Sequence, residues 1–512
     1  NADFDGDQMA VYVPITNATK QECIDKMLMS KNLRAPSNGK ISTKPNQDVI
    51  YGLYLLSNGN IEPQEVIYKG VKMTKGQKII NECFPENFRV VTEILNKKNV
   101  MKLLNELVAN FSVEEATKTI DQLKLQAVKY ATLYGSTIDL SGCFSQELIN
   151  KKNEIYNNDD IIYQLNSTSD DVVKDDIKKH FKYSDLVVSG ARGTWDQVKQ
   201  VVMTRGFISD FNGNILKTPV KSNLLEGLTK KEFFTSSYGC RKGLHDVAVN
   251  TGVSGYLSRK LIFACVNAVL GEQKDCGTTD YLEVFVKNKN KAKCLVGKFM
   301  FNNNNLVEIT EDNYKEIIDK TIKVRSPIYC KSNEICKTCY GSFYKVHHSQ
   351  YVGIISAQVL GEVNTQLILR SFHTSGAAKN VNNTDSEKLL QQDVVSDLAS
   401  IGKILHGREK LSIEDLVDKL FTLYTHSKEI NHVHFEVLVS QMLWYRENKW
   451  RLLDDRETIE PEVKSIQSIP SLESWVLGLA FSNPRKHILR YVTHNNRLVS
   501  SIFDKLVLGQ LY

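Results

Sequence analysis

The sequence is 512 residues long, more than one hydrophobic core accommodates, so two to four domains are expected. Its composition, 42% hydrophobic and 24% charged, excludes wholesale disorder, and no apolar run approaches the roughly 20 residues of a membrane-spanning helix. A net charge of +6 permits a polyanionic partner without arguing for one, because Asp and Glu are abundant too.

In chain order, Met9–Ile15 predicts a short β-run, Glu22–Met29 a helical stretch, and Ala35-Pro36-Ser37-Asn38-Gly39 a turn. From about residue 75 to 160 the pattern is helical and polar, with Val100, Leu103, Leu104, Leu107 and Val108 at three- and four-residue spacing. The Asn/Asp/Ser-rich stretch Asn157–Asp171 predicts a linker or exposed loop. No proline lies between Pro219 and Pro327, and Asn223–Ala268 predicts helix over most of its length, about 60 Å if unbroken. Gly239, Gly243, Gly252 and Gly255 each cost about 1 kcal/mol there relative to Ala, so two or three shorter helices fit equally well. From Ile466 the pattern is mixed, ending in a helix at Arg497–Leu506. There are no internal repeats, and no leader suggests secretion.

Three groups of residues carry chemistry. At the start, Asp3, Asp5 and Asp7 alternate along NADFDGDQM, and Gly6 lets the backbone turn so that they converge. Three carboxylates held together repel unless a cation neutralises them, and hard oxygen ligands suit Mg²⁺. An EF-hand loop fails, since Gln8 and Pro14 stand where it needs Gly and Glu; a solvated acidic turn is the remaining alternative.

The second group is Cys330-x5-Cys336-x2-Cys339, whose Cys-x2-Cys brings two sulfurs to one tetrahedral ion. A redox pair is the alternative, but no thioredoxin-like βαβ pattern surrounds it. Cys23, Cys83, Cys143, Cys240, Cys265 and Cys294 are expected to be buried thiols, and both sets of cysteines fit a reducing compartment. In the third group, Gln366, Leu369, Arg370 and His373 share one face if their segment is helical. One histidine on such a helix is by itself most often structural.

Taken together, these motifs closely resemble one family. The run NADFDGDQMAVYVPIT, continued by Ser37-Asn38-Gly39 and Gln47–Tyr54, is similar to the largest (β′) subunit of bacterial-type multisubunit RNA polymerases. In the same order follow Ser189-Gly190-Ala191-Arg192-Gly193 with Met203-Thr204-Arg205-Gly206 (the F-loop) and Asn223–Lys260 (the bridge helix). Asp275-Cys276-Gly277-Thr278 resembles the remote first zinc ligand, Gly353–His373 the trigger loop, and Glu429–Leu438 and Ser474–Leu511 later segments.

The resemblance implies an α+β multidomain protein. Its domains would be 1–60, the aspartate loop and end of a double-psi β-barrel; 61–184, a helical pore- or funnel-like region; and 185–268, the F-loop and bridge helix. Then would come 269–345, a Cys₄ zinc module; 346–400, the trigger loop; and 401–512, a mixed region anchoring clamp and jaw elements. It implies Asp3, Asp5 and Asp7 as ligands of the catalytic Mg²⁺, with a second Mg²⁺ joining during catalysis, and Cys276, Cys330, Cys336 and Cys339 as ligands of a structural Zn²⁺. Asn1 would read the ribose of the incoming nucleotide. Gln366 would face the ribose, Leu369 the base, and Arg370 and His373 the phosphates, with His373 a positional cation or a proton donor. Arg241, Lys242, Arg259 and Lys260 would face nucleic-acid phosphates.

The implied function is template-directed RNA synthesis in the cytoplasm, without a membrane partner. The implied partners are a β-like subunit, the N-terminal β′ portion, a promoter-specificity factor, template DNA, nascent RNA and nucleoside triphosphates. A non-catalytic, zinc-stabilised nucleic-acid-binding scaffold descended from a polymerase is the alternative. The sequence departs from the family at Leu369, usually Met, and at Val363-Asn364, usually Pro-Gly. The clamp, N-terminal zinc site, lid and rudder that precede the aspartate loop in the family are not in this sequence. A division there resembles the split subunits of giant bacteriophages, and a fragment of an unsplit subunit would look the same.

Overall fold

In a computed structural model of the chain, the described residues are 8–137, 139–156, 183–210, 218–302, 305–347, 349–373, 401–405, 411–425 and 429–443, with a few single positions between them. The expected loop at Asn157–Asp171 and helix at Arg497–Leu506 lie outside them. The chain divides into two compact units, and both helices and sheet are present, as an α+β protein requires. No described helix is long and apolar enough to cross a membrane.

Unit 1 comprises residues 1–35, 39–137 and 185–192. Its elements are α1 (Asn17–Glu22, continued by a π-turn to Met27), α2 (Asp48–Asn58), β1 (Glu65–Tyr68), β2 (Val71–Thr74), α3 (Lys75–Asn81), α4 (Lys97–Asn110) and α5 (Val113–Tyr134). Every residue of α2 from Ile50 to Ser57 is buried, as expected of a helix that is apolar on all sides and central to its core. On α4 the predicted stripe faces inward through Val100, Leu103, Leu104 and Leu107. Ser112 and Glu115 start α5 with a reciprocal capping box. The antiparallel β1–β2 hairpin was not expected; its two-residue turn has φ +47° at Lys69 and +79° at Gly70, the twist that tight hairpins favour.

The predicted β-run at Met9–Ile15 is not a strand. Pro14 interrupts it, no described segment pairs with it, and Met9, Val11, Tyr12, Val13 and Ile15 stay exposed.

Unit 2 comprises residues 36–38, 138–184 and 193–512. It opens with α6 (Gln146–Tyr156) and α7 (Trp195–Val202), followed by one long helical run. That run is α8 (Lys230–His245), a π-helical turn (Asp246–Asn250) and α9 (Thr251–Cys265), continuous for about 50 Å. The glycines therefore do not divide it; the irregularity is the π-turn, which adds a residue without ending the hydrogen-bonded run. It begins at Lys230 rather than Asn223. Gly227 has φ +81°, and Thr229 and Glu232 form a reciprocal cap. Burial works to raise the pKa of Glu232, but hydrogen bonds from Ser222 and Thr229 outweigh it and bring it down to about 2.

Beyond the run, a four-stranded antiparallel sheet has the order β3-β6-β4-β5, from β3 (Leu282–Phe285), β4 (Phe299–Asn302), β5 (Asn305–Glu308) and β6 (Thr321–Val324). Around it lie α10 (Lys289–Cys294), α11 (Lys337–Tyr340), α12 (Val352–His373), α13 (Ile413–Thr425) and α14 (Val433–Met442). Leu261, Val284, Leu360, Leu420 and Phe435 join α9, the sheet and α12–α14 in one core. Two of the cysteines expected to be buried are not. Cys240 is exposed on α8, and Cys23 is half-buried on the short first helix.

Candidate functional site

Four cysteine sulfurs converge in unit 2. Cys330 follows a 3₁₀ turn, Cys336 caps α11, Cys339 lies within α11, and Cys276 comes from the loop before β3. All four Sγ atoms lie within 4.8 Å of one another, and those of Cys276 and Cys339 are 3.7 Å apart. A tetrahedral zinc with 2.3 Å bonds needs sulfurs about 3.8 Å apart, so the donor set fits that ion. Backbone N–H groups of Cys336 and Cys339 point at the sulfurs of Cys330 and Cys336, each at 3.4 Å.

Sequence reasoning missed Arg325, which lies five residues before Cys330. It is buried at 2% exposure, with Nη2 3.4 Å from Cys276 Sγ and 3.3 Å from Cys339 Sγ, and it is ion-paired with Asp275. Burial disfavours its charge, but the Cys339 sulfur and the Asp275 carboxylate outweigh burial and raise its pKa. A cation there would offset the excess negative charge that four thiolates place on one divalent ion.

A buried polar network continues from the cluster. Lys298 Nζ donates to the Cys339 carbonyl at 3.1 Å and pairs with Glu436 at 2.7 Å; neither Lys298 nor Glu436 has any exposed surface. His432 Nδ1 lies 2.7 Å from the other Glu436 oxygen. Burial pushes the Glu436 pKa up, but the Lys298 charge and the His432 contact prevail and hold it below the ordinary range. From the same helix, His434 Nε2 donates to the Pro36 carbonyl at 2.8 Å, and its Nδ1 lies 3.0 Å from the Ser356 hydroxyl on α12. Burial pushes the His434 pKa down to about 4. Thus α14 is bonded to the cysteine module and to α12 at once.

The pairing of α9 with α12 has a different character. Gly353, Ala357, Gly361 and Thr365 repeat every four residues along one face of α12. A Cβ at Gly353 would lie 1.9 Å from the Cys265 carbonyl oxygen, and one at Gly361 2.5 Å from Ser258 Oγ. Farther along, Ser254 and Thr365 hydroxyls meet at 3.2 Å. As the α12 number rises the α9 number falls, so the helices are antiparallel, and the last turns of α12 run alongside the π-turn. Behind the run, Arg205 of Met203-Thr204-Arg205-Gly206 reaches Cys240 Sγ on α8 at 3.8 Å.

Asn1, Asp3, Asp5 and Asp7 lie outside the described residues. Leu369, Arg370 and His373 are on the last two turns of α12, and their side chains also lie outside the description. Gln366 is exposed, donating from Nε2 to Glu362 at 2.7 Å. Arg241 and Arg259 are exposed on the long run, and Lys260 is half-buried, 4.7 Å over the Tyr256 ring. Desolvation lowers the Lys260 pKa. Lys242 differs from these three, being buried at 8% exposure.

The chain is similar in sequence to known proteins. Residues 227–401 match the family model described as RNA polymerase Rpb1, domain 5. The chain is 31% identical to the DNA-directed RNA polymerase subunit beta′ of Treponema denticola, over 74% of this chain and 33% of that protein. It is 31% identical to the protein of the same name from a Hydrogenobaculum species, over 74% and 30%. With that of Tropheryma whipplei it shares 29% identity, over 77% and 37%. The chain spans about a third of the length of these relatives.

Proposed function

We propose, from the premise that this chain belongs to the β′-type subunits of RNA polymerases, that it supplies the catalytic loop, bridge helix and trigger helix of a DNA-directed enzyme. The proposed reaction is nucleotidyl transfer, in which the RNA 3′ hydroxyl attacks the α-phosphate of a nucleoside triphosphate and pyrophosphate leaves. Asp3, Asp5 and Asp7 would hold one Mg²⁺, which would supply a lowered pKa to the attacking hydroxyl, and a second Mg²⁺, held mostly by the triphosphate, would supply charge stabilisation to the leaving group. Asn1 and Gln366 read the ribose, Leu369 packs on the base, and Arg370 and His373 bind the phosphates. The run from Lys230 to Cys265 is the bridge helix, with Arg241, Arg259 and Lys260 toward phosphates. Lys242 is too buried in this chain to share that role. The Cys₄ cluster holds structural Zn²⁺. The working enzyme would be cytoplasmic and would include a β-like subunit, the rest of β′ and a promoter-specificity factor.

The observation that supports this most is the antiparallel pairing of α9 and α12, which carries the backbone of Leu369–His373 past the π-turn. A face presented there can close on a nucleotide and exclude a mispaired one.

The test is Mg²⁺-dependent extension of an RNA primer on a DNA template by the assembled polymerase carrying Asp5→Ala. The expected result is normal assembly with at least about a thousandfold loss of synthesis. Undiminished synthesis would overturn the proposal. A complex of the natural chain that binds nucleic acid without synthesis would favour the scaffold reading.

A further inference from the structure

A cavity of about 220 Å³ lies in unit 2 between β3, α10, α13 and the start of α14. It shares no lining residue with the cysteine cluster, the long helical run or α12. One water needs about 10–15 Å³, and pockets that bury drug-sized molecules span roughly 300–1,000 Å³. The space therefore suits a group about the size of one long side chain.

His432 forms part of the wall and is only 1% exposed. Its Nδ1 lies 2.7 Å from one Glu436 oxygen, and Lys298 donates to the other. A carboxylate held ionised between them only accepts, so Nδ1 carries the ring hydrogen and Nε2 is the open position. Nε2 makes no hydrogen bond among the described residues. It is not sealed from solvent as the unpaired Asn364 Oδ1 is, and the cavity is the space it faces. Phe421 packs on the ring, with centroids 5.3 Å apart, and helps to hold that orientation.

The rest of the wall indicates what Nε2 would meet. Leu282, Val284 and Val417 make it partly apolar. Four carboxylates face one ammonium, Lys291, which is already ion-paired with Asp418. Glu283 lies 3.7 Å from Lys323, whereas Glu414 and Asp415 have no ion-pair partner among the described residues. An acceptor nitrogen beside surplus carboxylates calls for a cation that donates hydrogen bonds. A metal ion fits poorly, because the four cysteines are the only converging set of three or more metal-binding side chains among the described residues. A guanidinium is more weakly hydrated than an ammonium, stacks on rings and offers five donors in one plane, so it enters a partly apolar cavity at lower cost.

We propose that this cavity is a binding site for a guanidinium group, which donates to His432 Nε2 and to the Glu414 carboxylate. The group is either an arginine side chain of another polypeptide or a free guanidino compound.

The test is modification of histidines by diethyl pyrocarbonate, read by peptide mass mapping, in the purified full chain and in the assembled complex. The reagent attacks an open imidazole nitrogen. In the full chain His432 should react although it is buried, while His434, hydrogen-bonded through both nitrogens, should not, which also reports an intact fold. Saturating N-acetylarginine amide should slow the His432 reaction about tenfold, and its neutral citrulline counterpart should leave the rate unchanged. Glu414→Gln should raise the concentration needed for protection about tenfold, with His434 still unreactive. In the complex, a His432 already protected without added ligand identifies the occupant as an arginine of another subunit. A His432 that reacts there and is protected by L-arginine identifies a free compound. An unreactive His432 in the folded full chain, no protection by the arginine amide, or equal protection by the citrulline compound would each overturn the proposal and leave a merely hydrated cavity.

Discussion

The cysteine cluster and the α9–α12 pair belong to the same unit but are held together by opposite means. Around the cluster almost every polar group is spoken for. Four sulfurs, Arg325, Asp275, Lys298, Glu436 and His432 form one connected set, most of it buried. Between α9 and α12 no described ion pair exists, and contact comes from missing side chains, with glycine against backbone and hydroxyl against hydroxyl. A charged, cross-linked cluster has one arrangement and fails if any member is lost. A close-packed seam holds its shape through steric fit and resists any enlargement of the side chains in it. The cysteine cluster and the helix seam of unit 2 are thus built from different chemistry.

The comparison can be broken most severely at the cysteine cluster. Stripping the proposed zinc with a chelator, or Cys339→Ser, should unfold the segment around the four cysteines. Such sites contribute on the order of 10 kcal/mol in small zinc domains. Zinc content together with limited proteolysis would show this, and a module that stays protease-resistant without metal would refute a structural role.

Next in size is Glu436→Gln, which keeps the shape but leaves Lys298 buried without its counter-charge. The expected loss is about 3–5 kcal/mol by chemical denaturation. Because Lys298 also holds the Cys339 carbonyl, zinc should leave this variant faster.

Substitutions at the seam separate backbone from side-chain interlock. Gly353→Ala meets a carbonyl and should cost about 3 kcal/mol, with no rescue from side-chain changes on α9. Gly361→Ala meets the Ser258 side chain, so Ser258→Gly should recover most of its loss. Equal rescue of both would mean that the helices simply slide.

The smallest effect is set by pH. His434 is neutral and buried with its pKa at about 4, against about 6.5 when unfolded. As pH falls below 6.5 the unfolded chain takes up a proton that the native chain refuses. Stability therefore drops until about pH 4, by at most about 3 kcal/mol. Glu436, with a lowered pKa, contributes stability above the ordinary carboxylate range and loses it only at still lower pH. Denaturation curves of His434→Asn should lack the upper part of this slope.

The convergence of the four cysteines was legible because one helical turn dictates Cys-x2-Cys and because Cys276 sits in a recognisable tetrad. Their supporting cation was not, since nothing in the sequence aims Arg325 at sulfur. His432 and Glu436 stand four residues apart and could have been paired on a helix, but Lys298 meets them from 138 residues away. The hairpin at Lys69-Gly70 left a usable signal in its two-residue turn between alternating strands. The start of the long run was also written locally, in the Thr229–Glu232 capping pair. The seam between α9 and α12 was visible only as scattered glycines until the two helices were laid side by side.

The π-turn at Asp246–Asn250 has a consequence for how the gene can change length. A π-turn holds about one residue more than an α-turn, so it is in effect an insertion stored inside a helix. Deleting one residue from this stretch would let it relax to ordinary α-helix, leaving the faces of α8 and α9 near their present directions. The same deletion elsewhere in the run would turn everything after it by about 100°. Five residues of the long run are therefore the place where relatives can differ by one codon and keep the same contacts on both sides.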